Sequence, residues 1–220
     1  MLTGLWPSPS GSDEYVVGFD AGRAPRVLVV RGLFDEGSKL RHFTVETMRR
    51  LDAAGVDCFL PDLPGTNESL LPLEQQTFDG WRAAMRGAAD HFGATHVLAI
   101  RGGALVAPGH LPNIHYAPAS GASLLRAMLR AQVIAAREAG EAQSREDLLE
   151  RGRTEGLRLA GYNLGPELIA ELEQASLAES DAVEITQGDV GGGGLWLRAE
   201  PAHDPVQADC LAELVLGHLR

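Results

Sequence analysis

Three short apolar runs set the tightest limit on how this chain folds: Arg26-Val27-Leu28-Val29-Val30, Val56-Asp57-Cys58-Phe59-Leu60 and His96-Val97-Leu98-Ala99-Ile100. None alternates cleanly between polar and apolar residues, so each predicts a strand covered on both faces. Between them lie two segments of helical period. In residues 39–54, Phe43, Met48 and Leu51 recur near helical spacing, Arg41, Glu46, Arg49 and Arg50 turn to water, and Gly55 suits a C-cap. In residues 77–92, Thr77 suits an N-cap, and Phe78, Trp81, Met85 and Ala89 share one face. Strand, helix, strand, helix, strand with short connections predicts an α/β fold built on a mostly parallel, doubly wound sheet.

Residues 7–12 read as a polar lead-in, 15–19 as a short edge strand and 114–117 as a fourth core strand. Little room remains for a helix between Gly102 and Pro112. Residues 122–151 predict one or two long helices, 157–162 a short strand or turn, and 165–177 a helix with Pro166 in its first turn. The last strands are expected at 182–186 and 195–199, joined by Gly191-Gly192-Gly193-Gly194, with a terminal helix over 209–219. That glycine run lacks the Lys and Ser/Thr of a phosphate loop and reads as a flexible connection. The expected organisation is one domain over 1–220, with a cap-like helical insertion at 120–180.

Acidic residues number 30 against 19 Lys and Arg, a net charge of −11 that disfavours nucleic acid or an anionic membrane as partner. No apolar run reaches the length of a membrane span, no signal peptide is visible, and the expected location is the cytoplasm. The two cysteines, Cys58 and Cys210, cannot supply a disulfide framework or a zinc site, and Cys58 reads as a reduced core thiol. His96, His110 and His115 lack the i, i+4 spacing of a helical metal pair, so neither metal nor cofactor is expected.

Ligands of open parallel sheets bind beyond the carboxyl ends of the strands. There, Ala99-Ile100-Arg101-Gly102-Gly103 aligns with the Gly-x-Ser-x-Gly elbow, and Arg101 stands where the nucleophilic serine belongs. A guanidinium stays protonated and cannot attack a carbonyl. Two readings stand for Arg101: an anion hook at a helix N-terminus, or an internal ion pair with Asp35, Glu36 or Glu200. Asp189 and His203 read either as a residual orienter and base or as solvated loop residues; they are only 14 positions apart. Ser120 and Ser123 offer a displaced nucleophile or a helix cap, and Ser69 closes the turn after Asp62.

These segments resemble the α/β-hydrolases. Gly32 and the residues after it sit where that family's oxyanion loop follows an early strand, and Asp62-Leu63-Pro64-Gly65-Thr66-Asn67-Glu68-Ser69 looks like its Asp-x-x-Gly-x-Gly-x-Ser loop. An ordered set over roughly 30–205 carries a narrower resemblance. It comprises Phe34-Asp35-Glu36-Gly37-Ser38-Lys39-Leu40-Arg41, Phe78-Asp79-Gly80-Trp81, the Arg101 elbow and Pro118-Ala119-Ser120-Gly121. It continues with Leu124-Leu125-Arg126, residues 160–168 and Glu200-Pro201. The set is similar to the hydrolase 2 group of α/β-hydrolase-like proteins from bacterial exosortase and exopolysaccharide loci, with a shortened stretch behind the elbow. The resemblance implies a role linked to exopolysaccharide production or surface-protein export.

The leading expectation is a catalytically degenerate protein that binds a small acidic ligand or a protein partner through Arg101, Gly102, Gly32, Leu33 and Glu36. Whether it is an enzyme stays open. One rival is an esterase or thioesterase using Ser120 or Ser123 with His203; another is a structural homodimer formed through the 122–151 helices.

Overall fold

In a computed structural model that describes residues 1–141, 143–177 and 181–219, the first core run is β3 (Arg26–Val30). Its side chains divide cleanly: Leu28 and Val30 enter one apolar cluster, while Val27 and Val29 enter the other. The pleat alone produces that division, and two helical layers are needed to cover it.

The central sheet also contains β1 (Leu2–Pro7), β2 (Asp13–Phe19), β4 (Asp57–Pro61), β5 (His96–Ile100), β6 (Asn113–Tyr116) and β9 (Val183–Ile185). Its order is β1-β2-β4-β3-β5-β6-β9. Strands β4, β3, β5, β6 and β9 run parallel, while β2 is antiparallel to β4 and β1 to β2. The 15–19 run is therefore not the edge. The outer strand is β1, which enters the sheet because Trp6 is buried against His91 and Phe92.

On one face lie α2 (Arg41–Ala53) and the terminal α8 (Pro205–Gly217), tied by the Arg50–Asp209 ion pair. Preceding α2 is α1 (Phe34–Lys39), a turn of helix not expected from the sequence. The other face is covered by α3 (Phe78–His91), α4 (Gly121–Glu138) and α6 (Pro166–Gln174). Thr77 caps α3 by accepting from the Gly80 N–H at 3.1 Å, as its place in the sequence predicts.

Between β6 and β9 the chain runs through α4, α5 (Arg145–Glu155), the hairpin β7 (Leu157–Leu159) and β8 (Tyr162–Leu164), and α6. After β9 comes the short α7 (Gln187–Val190). The strand expected at 195–199 is instead a 3-10 turn, Leu195–Leu197. Gly191 and Gly192 take positive φ, Leu195 is buried, and Leu197 is 78% exposed, so this apolar triplet pins one residue rather than filling a strand position. His203 consequently lies in the loop before α8, not after a strand.

Among the described residues no helix is long and apolar enough to cross a membrane.

Candidate functional site

The crossover from β5 to β6 shapes the site. Instead of a helix, a single 3-10 turn, Arg101–Leu105, follows β5, and the chain then loops to β6 through Pro108 and Pro112. The sequence-based picture of Arg101 at the N-terminus of a helix therefore fails: five residues of 3-10 turn provide little aligned dipole. Arg101 itself has φ of 54°. Positive φ is uncommon for a residue with a Cβ and costs about 1 kcal/mol or more. The strained strand-to-turn geometry of a nucleophile elbow is present, then, with an arginine in it. Gly103 permits the bend: a Cβ there would lie 2.4 Å from the Arg31 carbonyl oxygen and 2.5 Å from that of Val30.

Three of the five guanidinium N–H groups are engaged. Nε donates to Glu36 Oε2 at 3.2 Å, Nη2 to Glu36 Oε1 at 2.8 Å, and Nη1 to the Ala117 carbonyl. The Trp196 ring covers its face, with the ring centroid 4.0 Å from Cζ. The Arg101 and Glu36 side chains are only 13% and 18% exposed. Of the three acids offered by the sequence, Glu36 is the partner; Asp35 pairs with Lys39 at 2.8 Å, one turn along α1.

The loop after β3 closes over the elbow. Leu33 precedes α1, and Phe34 enters it at φ of 53°. A Cβ on Gly32 would come 3.2 Å from the Gly37 nitrogen. Above Gly102 the space is taken: a Cβ there would meet Leu124 at 2.6 Å and Leu33 at 3.1 Å. In acyl-transfer enzymes of this architecture the residue after the nucleophile and this loop supply the oxyanion-binding N–H groups.

The remaining candidates stand apart from one another. Ser120 Oγ accepts from the Ser123 N–H at 3.3 Å and caps α4, while Ser123 is exposed on that helix. Asp189 forms a capping box on α7, accepting from both the Thr186 N–H and hydroxyl at 2.7 Å, which holds its carboxyl below the usual range. The ring of His203 lies 4.4 Å from that of His42, centroid to centroid, and its buried Nδ1 has no partner. Among the described residues no serine hydrogen-bonds to His203, and no group of three His, Cys, Asp or Glu side chains is placed to hold a metal. Burial pushes the Cys58 thiol up to about 12, so it stays protonated in the core.

Two features escaped the sequence reading. The first is a buried polar cluster beneath the Asp62 loop. Arg31 donates to Asp62 at 3.1 Å, Asn67 donates to the same carboxylate at 2.6 Å, and Ser69 donates to Glu14 at 3.0 Å. Burial raises both carboxyls above their ordinary values, and each keeps one oxygen without a partner. The turn assigned to Ser69 does form, its Oγ accepting from the Gly65 N–H at 2.8 Å. The second is Trp196, which the sequence gives no reason to bring to residue 101.

Beside Arg101 lies a cleft of about 280 Å³ between α1, α4 and the Leu195–Leu197 turn, lined by Leu33, Phe34, Glu36, Leu124, Met128 and Trp196 among others. A larger cleft, of about 500 Å³, flanks the shortened crossover at Ala104, Leu111 and His115. Only the smaller one opens on the elbow's partners.

No protein-family model matches the chain, and no curated protein sequence is significantly similar to it. Solved structures are similar in fold. Alpha/beta hydrolase domain-containing protein 10 from mouse matches over 100% of both chains, with a TM-score of 0.54 and 11% identity. Epoxide hydrolases from Vigna radiata (17% identity, TM-score 0.43) and Mycobacterium thermoresistibile (18%, 0.42) match 53% of this chain and 39% of their own. The chain thus spans about two fifths of the length of these epoxide hydrolases. Sheet order, elbow geometry and the likeness to the mouse protein together give the chain an α/β-hydrolase fold.

Proposed function

We propose that this chain is a catalytically degenerate α/β-hydrolase-fold protein that binds a ligand or partner at the cleft beside Arg101. One observation carries the reading: the elbow residue is an arginine committed to Glu36, the Ala117 carbonyl and Trp196. It stays protonated and offers no electron pair to a carbonyl carbon. Leu33 and Glu36 are assigned to the ligand side of the cleft, with Gly32 and Gly102 behind them. The 120–180 segment is assigned the part of a cap within one domain spanning 1–220, since α4 walls the cleft through Leu124 and Met128. The resemblance to the hydrolase 2 group supports a role tied to exopolysaccharide production or surface-protein export, carried out in the bacterial cytoplasm.

The purified protein is expected to leave p-nitrophenyl acyl esters intact and to escape labelling by a fluorophosphonate probe. Ester turnover that disappears in Ser123→Ala would establish the esterase rival instead. Ile134, 49% exposed on α4, supports the other rival, a structural homodimeric form built through the 122–151 helices. Sedimentation as a monomer at micromolar concentration would reject that form.

A further inference from the structure

The charges facing this cleft are already spent on one another. Glu36, in its lining, is held by Arg101 just behind it, and Lys39, the cation among its lining residues, is held by Asp35 at 2.8 Å. An incoming carboxylate or phosphate would lie beside existing ion pairs, losing its own hydration with no unpaired cation among the described lining residues to replace it. Apolar matter meets the opposite situation. Leu33, Phe34 and Met128 line the cleft, Ala127 and Ala131 leave it open along α4, and Leu197 at its lip is 78% exposed. Apolar surface of this kind gains from being covered.

Resting on the ligand-binding reading above, we infer that the cleft takes an uncharged, elongated apolar group, an alkyl or acyl chain with no free carboxylate or phosphate at its Arg101 end. This replaces the acidic ligand suggested by an arginine read from sequence alone.

Trp196 gives the test its readout, because Trp6 and Trp81 are 1% and 0% exposed and lie in the core. The intact chain is titrated with butan-1-ol, hexan-1-ol and octan-1-ol while Trp196 fluorescence is followed. Affinity is expected to rise by up to about fourfold for each methylene buried. Octanoate and octylammonium should bind at least about tenfold more weakly than octan-1-ol, the penalty of one uncompensated charge. Octanoate binding as tightly as the alcohol would overturn the ligand class while leaving the ligand-binding reading intact. No dependence on chain length would overturn the apolar site itself. Ala131→Phe, on the exposed face of α4, should abolish octan-1-ol binding and still melt as the wild type does; survival of binding would place the chain elsewhere and refute the inference. Arg101→Met frees Glu36, so octylammonium should gain on the alcohol, and no gain would contradict the proposed charge balance. Ester hydrolysis, by contrast, would sink the proposed function without touching this inference.

Discussion

Replacing Glu36 by alanine removes the acceptor of two Arg101 N–H groups and leaves the guanidinium beneath Trp196 with only the Ala117 carbonyl. The cost depends on burial. Breaking a fully buried pair loses about 3–5 kcal/mol, mostly by stranding the surviving charge, whereas an exposed pair is worth about 0–1 kcal/mol. At 13% and 18% exposure, and with Ala117 and Trp196 still engaged, the Arg101–Glu36 pair falls between these limits. We expect Glu36→Ala to lose about 2 kcal/mol. In a domain of this size that lowers the midpoint of thermal unfolding by about 4–8 °C. The double variant Glu36→Leu with Arg101→Leu removes both charges and keeps the volume filled, so it should recover most of the loss. Thermal and urea unfolding of the wild type, both leucine single variants and the double variant closes the cycle. A coupling below about 0.5 kcal/mol, or a loss that vanishes in molar salt, would mean that Arg101 is solvated and that no clamp exists.

Arg101→Ser is expected to yield no esterase, because Asp189 is bound into a helix cap and His203 rests against His42; measurable turnover of p-nitrophenyl acetate would show that these residues can still assemble. Gly103→Ala should destabilise by about 1–3 kcal/mol, since its Cβ would meet fixed carbonyls of Val30 and Arg31. Gly109→Ala, with nothing within 4 Å, should melt within a degree or two of the wild type, and equal shifts in the two would refute the packing argument. Burial raises the Glu14 carboxyl, so the folded state holds its proton to higher pH than the unfolded chain does. The stability this group contributes is therefore complete below its unfolded value of about 4.3 and is lost as pH rises through the raised one. Denaturation from pH 4 to pH 7 should accordingly show Glu14→Gln gaining on the wild type as pH rises, and a flat difference would contradict the assignment.

Much of the framework was readable along the chain. The runs at 26–30, 56–60 and 96–100 became β3, β4 and β5 because continuous apolar strands tolerate only a doubly covered site. The Thr77 cap and the Pro166 helix start followed from local hydrogen-bonding rules. The errors have physical causes too. Leu195-Trp196-Leu197 carries strand-like composition, yet positive φ at Gly191 and Gly192 and the burial of Leu195 alone set a turn there. Strand β1 was not legible, because one buried tryptophan in a mostly exposed strand leaves almost no periodic signal.

From the order of its residues alone, this chain was bound to form a parallel sheet with an arginine at the bend after β5, since strand propensity, helical period and glycine placement are local properties. What that arginine does is not local. Glu36 lies 65 positions away, and Trp196 returns to it from beyond β9. Only the folded chain brings an acid, a carbonyl and an aromatic face around one guanidinium. That convergence turns an apparent anion hook into a closed ion pair beside an apolar cleft.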